Sequence, residues 1–409
     1  MLAILTTHPI QYQIPVWREL SARSEVPVKV FFMSDQGLTA RFDPGFGRSV
    51  AWDIDLLGGY PHEFVDVYTG KRQDRFGWLR LKAGFGEKLR AEGVKILWVN
   101  GWQVMAYWQA IREARRFGIE VWLRGESNLR SNRGGVMRSL KWLVLRRLLN
   151  QVDHFLTIGE ANRQFYLRLG YRSEQMTSAP YCVENRRFAD EAALARPRRA
   201  EFRKAWGIPE DAFCFLSVGK FIAKKRPQDL AESVRRLQLR MLGRKLHILW
   251  VGTGELVDEL RSACTVCYEA KSGLQPAAAA SGKPAASFAG FLNQSEIARA
   301  YAAADALILP SDAKETWGLV VNEAMASGLP CVVSDACGCA EDLVKPLRPE
   351  LCFPVGNVEA LADSLQALLQ ARPSAEQVLK HIDQYDIHRT VESVVALYSR
   401  HIGTLGTAK

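Results

Sequence analysis

Residues 305–334 read DALILPSDAKETWGLVVNEAMASGLPCVVS. The apolar run DALILPS is too short for a helix and too continuous for a half-exposed strand. It is followed by the polar loop Asp312, Lys314 and Glu315. A helix is then predicted from about Gly318 through Met325, stopping at Gly328, and Pro330 opens the next apolar run, PCVVSD. A strand, loop, helix and second strand, with both strands apolar throughout, describe a parallel sheet covered on both faces.

The same plan extends in both directions. The second half adds FCFLSVG (213–219) and LHILWVG (246–252). The first half has LAILTT (2–7), VKVFFM (28–33), KILWVN (95–100), EVWLRG (120–125) and HFLTIG (154–159), with helical patterns between them. The predicted fold class is therefore α/β, with two doubly wound Rossmann-like domains facing a cleft. The expected boundaries are 1–190 for an N-terminal domain and 191–388 for a C-terminal domain. A last helix in 389–409 is expected to pack back on the first domain. The charged, proline-marked stretch 186–212 reads as the joint, and the alanine-rich stretch 264–287 as a mobile surface insertion.

Composition narrows the classes. With 48% hydrophobic and 24% charged residues the chain is an ordinary globular protein. LAILTT lacks the cationic start of a signal peptide and no run is long enough to span a bilayer, so a cytoplasmic location is expected. Eight cysteines in 409 residues are too sparse for a disulfide scaffold. The pairs Cys264/Cys267 and Cys337/Cys339 have no matching histidine spacing, so no metal site is expected. Residues 1–190 carry 28 Lys+Arg against 19 Asp+Glu, while residues 191–409 carry 26 against 25. The net charge of +10 is thus concentrated in the first half, without the aromatic or zinc patterns of a nucleic-acid module, and no nucleic acid is expected.

In doubly wound sheets ligands bind beyond the carboxyl ends of the strands. Gly219, Lys220 and Lys225 follow the first strand of the second half, Gly254 and Glu255 the next, and Glu315 the run that opened this reading. The amides of Gly318, Leu319 and Val320 make an anion site at a helix start. Glu323 lies one to two turns further on. Carboxylates accept hydrogen bonds from hydroxyl pairs, so Glu315 and Glu323 on either side of a phosphate-holding helix start suit a ligand with a polyol at each end of a diphosphate. Taken alone, Glu315 reads equally as a solvated loop charge, Glu323 as a helix-dipole partner, and Lys220 and Lys225 as surface charge. His8 follows the first strand, where it either orients an acceptor hydroxyl or is structural. Arg124 and Glu126 either bind the acceptor or pair with each other.

The ordered set VGKFIAKKRPQDL, VGTGEL, GFLNQSEIARAYAAADALILPS and Glu315-x7-Glu323 with EAMASGLP resembles the nucleotide-sugar domain of retaining glycosyltransferase family 4, of GT-B fold. THPIQYQIPVWREL and APYCVENRRF resemble first-domain segments of that family. The resemblance implies that Glu315 contacts sugar hydroxyls, Glu323 the ribose, and Lys220 and Lys225 the diphosphate, with the amides of Leu319 and Val320 assisting. It implies no metal and no cofactor beyond the donor. Lys220 stands where the family usually has arginine, and Arg226 where a glycine commonly follows. THPIQYQ replaces the early glycine-rich loop, and Arg124-Gly125-Glu126 occupies the region of a frequent histidine.

The expected function is retaining transfer of a sugar from a nucleotide sugar to a saccharide or lipid-linked acceptor, in surface polysaccharide or glycolipid synthesis. The alternatives are a nucleotide-sugar epimerase and a non-catalytic binding protein. The basic stretches 72–90 and 134–151, the latter with Arg138, Lys141, Arg146 and Arg147 among Trp142, Leu143 and Leu149, suggest either peripheral contact with an anionic membrane at the inner face of the cell or a core helix with snorkelling cations.

Overall fold

The computed structural model describes residues 1–68, 79–130, 136–274 and 282–407. In chain order its strands are β1 (Leu2–Thr6), β2 (Val28–Phe32), β3 (Arg41–Asp43), β4 (Arg48–Val50), β5 (His62–Phe64), β6 (Val67–Tyr68), β7 (Arg80–Leu81), β8 (Ile96–Val99), β9 (Glu120–Leu123), β10 (His154–Thr157) and β11 (Met176–Ser178). They continue with β12 (Phe213–Val218), β13 (Leu246–Val251), β14 (Thr265–Glu269), β15 (Gly273–Leu274), β16 (Ala285–Gly290), β17 (Ala306–Leu309), β18 (Cys331–Ser334) and β19 (Cys352–Phe353).

Two compact units result. Unit 1 comprises residues 1–40, 54–181 and 387–409, and unit 2 comprises 41–53 and 182–386. Each is a Rossmann-like α/β layer structure around one sheet. The sheet of unit 1 has the order β11-β10-β9-β8-β1-β2-β5, all parallel. Its inner strands β1 and β8 are buried along their whole length, the mark of a sheet covered on both faces, and Trp98 and Trp122 are fully buried. Burying each such ring contributes about 1.5–3 kcal/mol.

The helix Ile387–Thr407 belongs to unit 1, packing on the helix Ile14–Ser21 and on β11. Arg23 to Glu392 at 2.6 Å and His388 to Glu19 at 2.9 Å flank that contact.

Unit 2 has the order β15-β14-β16-β13-β12-β17-β18-β19, parallel except where β15 pairs antiparallel with β14. Its strand order reverses at β12, whose neighbours are β13 and β17. The carboxyl ends of β12 and β17 are therefore the topological switch point, where such sheets bind ligands.

Three expectations about organisation change. The crossing from unit 1 to unit 2 falls between Tyr181 and Cys182, earlier than 190, and the hairpin β3–β4 belongs to unit 2. The stretch 186–212 is a packed pair of helices, Asn185–Ala195 and Arg199–Ala205, rather than a linker. Its charge is used inside: Arg203, 2% exposed, donates to the carbonyls of Ala303, Pro209, Glu210 and Ala212 and to Asp305. The expected insertion 264–287 holds β14, β15 and the start of β16. β14 runs parallel to β16, and only 275–281 lies outside the described residues.

Candidate active site

Lys220 and Lys225 descend from β12 through a turn that is stitched to its neighbour. The Phe221 amide donates to the Thr253 carbonyl at 2.9 Å, and the Leu256 amide to the Phe221 carbonyl at 3.0 Å. Gly252 makes this possible, since a Cβ there would lie 1.9 Å from the Gly219 carbonyl oxygen. Gly254 packs likewise on the Phe221 backbone, and the exposed Glu255 carboxylate accepts from the Ala223 amide at 3.4 Å.

Lys225 ends the short turn Ala223–Lys225, and its Nζ lies 2.5 Å from Glu315 Oε2. The two side chains are 20% and 14% exposed, so the pair is largely withdrawn from water but open to a ligand. Arg226, next in sequence, has φ of 49° and is the sole non-glycine at positive φ among the described residues. That left-handed geometry explains why a glycine suits this position in the family the sequence resembles. The guanidinium turns to Asp229, at 2.7 Å, in the first turn of the following helix Pro227–Arg240.

The loop carrying Glu315 is pinned on two sides. The Asp312 amide donates to the Lys224 carbonyl at 2.8 Å, while the Gly338 and Cys339 amides donate to the Glu315 and Trp317 carbonyls at 3.2 and 3.1 Å. Gly338 admits this approach, because a Cβ there would lie 1.8 Å from the Thr316 oxygen. Cys337 and Cys339 stand behind the loop as buried thiols. Burial pushes Cys337 up to about 12 and Cys339 well above the ordinary thiol range. No group of three metal-ligating side chains occurs among the described residues.

After Gly318, at φ of 107°, the helix Leu319–Ala326 begins. Helix geometry leaves the amides of Leu319 and Val320 without an intrahelical acceptor, at the positive end of the dipole. Glu323 lies on this helix, 3% exposed, and its Oε2 accepts from Tyr301 OH at 2.5 Å. Trp317 Nε1 donates to Asn322 Oδ1 at 2.8 Å, tying the loop to the helix. Sequence reasoning missed Tyr301. It lies in the preceding helix of the unit, Ala298–Ala303, and no spacing rule links it to Glu323.

Lys220 is the exception in this cluster, because its Nζ is held 2.8 Å from Asp43 Oδ2 rather than by a residue after another strand of the sheet. Asp43 was also missed, although Asp43-Pro44-Gly45 is a legible turn signal.

The acceptor-side candidates all lie in unit 1. His8 follows β1, with Nδ1 2.9 Å from Thr7 Oγ1, and burial lowers it to about 4, so the ring is neutral near pH 7. Arg124 follows β9 and is 4% exposed. Its Nη2 donates to the carbonyls of Ala179 and Pro180, both at 2.9 Å, and its plane faces the Tyr181 ring at 4.6 Å. Its charge is therefore spent inside the unit. Glu126 is exposed and accepts from Tyr181 OH. β1 and β9 flank β8, so these three residues share the carboxyl edge of one sheet.

Residues 198–384 match the family described as glycosyl transferases group 1, and residues 18–182 match the glycosyl transferase 4-like domain. The chain is 38% identical over 187 residues to the sulfoquinovosyl transferase SQD2 of Arabidopsis thaliana, covering 45% of this chain and 32% of that protein. It is 41% identical over 101 residues to a GDP-mannose-dependent alpha-mannosyltransferase of Mycobacterium tuberculosis, 24% of this chain and 26% of that protein. The chain thus spans less than half the length of the curated relatives it matches. In fold it is similar to the Anabaena protein HepE, solved in complex with UDP and glucose, with a TM-score of 0.63 and 13% identity, covering 97% of this chain and 99% of that one. With a group 1 match on unit 2, a family 4-like match on unit 1 and GT-B neighbours for the whole, the chain belongs to the family 4 glycosyltransferases of GT-B fold.

Proposed function

We propose that the chain moves a sugar from a nucleotide-sugar donor to an acceptor hydroxyl with retention at the anomeric carbon. The observation that carries this reading is the ion pair of Lys225 with Glu315 at the switch point, beside the helix start that bears Glu323. Lys225, Lys220 and the amides of Leu319 and Val320 supply positive charge where a diphosphate leaves. Glu315 accepts from sugar hydroxyls. Glu323, already held by Tyr301, accepts from the ribose. In the reaction the bond from the anomeric carbon to the diphosphate oxygen breaks and a bond to the acceptor oxygen forms on the same face. The acceptor proton passes to a departing diphosphate oxygen, and the lysines stabilise the negative charge that remains on the leaving group. Names of relatives such as the GDP-mannose-dependent alpha-mannosyltransferase support a nucleotide-sugar donor.

A glycolipid or surface-polysaccharide acceptor fits a second feature. The helix Val136–Leu149 buries Leu145, Leu148 and Leu149, yet exposes Leu143, 67% accessible, and Val144 beside Arg146 and Arg147. Such a face suits the anionic inner leaflet. The side chains of 136–142 and the stretch 72–78 lie outside the described residues. No helix among the described residues is long and apolar enough to cross a membrane.

The test is calorimetric titration with UDP, GDP, ADP and their sugar conjugates, with Glu323→Ala alongside, followed by product analysis. Binding of one nucleotide that the variant loses, with a new glycoside formed only when acceptor is present, is the expected result. A new nucleotide sugar formed without acceptor would make the protein an epimerase.

A further inference from the structure

Residues 41–53 belong to unit 2, although β2 and β5 on either side lie in the sheet of unit 1. They form the hairpin β3–β4, in which Arg41, Phe42 and Asp43 face Val50, Ser49 and Arg48. At its turn Asp43 Oδ1 accepts from the amides of Gly45 and Phe46, at 2.8 and 3.1 Å. This fixes the carboxylate so that Oδ2 meets Lys220 Nζ at 2.8 Å. The Phe46 ring lies beneath the same ammonium, 4.8 Å away, and a Cβ on Gly45 would touch the lysine stem at 2.6 Å. Lys220 is thus enclosed by one turn of the hairpin.

The hairpin is itself anchored. Phe46 meets the Phe291 ring edge-on at 5.1 Å, and Arg48 lies 4.9 Å from the Phe291 centroid. Asn293 Nδ2 donates to the Ala51 carbonyl at 2.9 Å, and Ser295 Oγ to Asp53 Oδ2 at 2.5 Å. Burial opposes ionisation of Asp43, but Lys220 and the two turn amides outweigh it and hold the carboxyl below its usual range. A fixed carboxylate therefore occupies the cation assigned above to the donor diphosphate.

We infer that Asp43 is a built-in competitor for that subsite: donor binding exchanges its carboxylate for phosphate oxygens at Lys220, and Asp43 returns as the nucleoside diphosphate leaves. This rests on the proposed function of Lys220. A carboxylate brings one negative charge, whereas a diphosphate brings more charge and more acceptor oxygens, so it wins the exchange where a monophosphate has little advantage. The carboxylate then sets the affinity of the subsite and discriminates by charge. The exchange also lowers the cost of product release, because Lys220 is never left unpaired.

The experiment titrates UDP, GDP and ADP into the wild-type chain, Asp43→Asn, Phe46→Leu and Lys225→Gln. Asn keeps the side-chain oxygen that the turn amides need, so the hairpin is preserved while its charge is lost. For whichever diphosphate binds the wild type, Asp43→Asn is expected to bind about two- to fivefold tighter, the range of a half-exposed ion pair. Phe46→Leu is expected to shift in the same direction, and that diphosphate should speed tryptic cleavage after Arg48 in the wild type. Lys225→Gln should weaken binding, which checks the site independently. Unchanged affinity in Asp43→Asn, with Lys225→Gln weakened, overturns the competitor role and leaves the donor site standing. Weaker binding in Asp43→Asn overturns it too, since Asp43 would then be a donor contact. No binding by any protein removes the proposed function and this inference together.

Discussion

Lys225 and Glu315 follow different strands of one sheet, and their charged atoms lie 2.5 Å apart at the point where the strand order reverses. Glu315→Gln keeps the shape of the side chain and removes its charge, so it separates the pair's electrostatics from its packing. Transfer is expected to fall about 10²-fold or more, with nucleoside diphosphate affinity changed far less. Initial rates of glycoside formation, set beside calorimetric titration, read the two effects separately.

Arg226 holds a left-handed backbone that costs a residue with a Cβ about 1–2 kcal/mol. Arg226→Ala keeps that cost and loses the contact to Asp229, whereas Arg226→Gly loses the contact and relieves the cost. The glycine variant should therefore be the more stable of the two by about 1 kcal/mol, measured by urea denaturation.

Asp305 gathers Arg199, Arg203 and Arg372 at 2.9, 2.7 and 3.2 Å, and its Oδ2 also accepts from the Cys214 amide at 2.9 Å. Asp305→Ala leaves Arg203 as an uncompensated buried cation. The expected loss is about 3–5 kcal/mol of stability, visible as a lower melting temperature of the whole chain.

His8 and His154 are both lowered to about 4, chiefly by burial, against an ordinary value of 6.5. Their folded forms stay neutral while the unfolded chain takes up protons below 6.5, so stability is full above that pH and is lost as pH falls towards 4. Melting temperatures measured from pH 7 to 4.5 should decline. His154→Gln, which keeps a partner for Thr177 Oγ1, should decline less steeply.

The apolar runs that predicted β1, β2, β8, β9, β10, β12, β13, β17 and β18 were legible because each is buried on both faces, and uninterrupted hydrophobicity is the mark of that position. β14 and β16 escaped notice because TVCYE and AASFAG pack with small or half-exposed side chains, and their composition reads as a loop. The joint was misplaced for the opposite reason. Arginines signal solvent in a sequence, yet Arg199 and Arg203 are pulled inward by one aspartate and a row of helix-end carbonyls. At the site, Glu315, Glu323, Lys220 and Lys225 could be picked out because strand ends are where this architecture binds ligands. Tyr301 and Asp43 could not, since a partner chosen by the packing of two helices or the landing of a hairpin leaves no periodic trace in the sequence.

The chain passes between its two units four times, at residues 40/41, 53/54, 181/182 and 386/387. Neither unit is a continuous piece of the polypeptide. Recombination that swaps unit 2 between relatives at the central joint alone would give the new unit a foreign hairpin at Lys220 and the retained unit 1 a foreign last helix. Exchange of whole units requires four crossovers, so unit 2 should diversify by point substitution more readily than by shuffling.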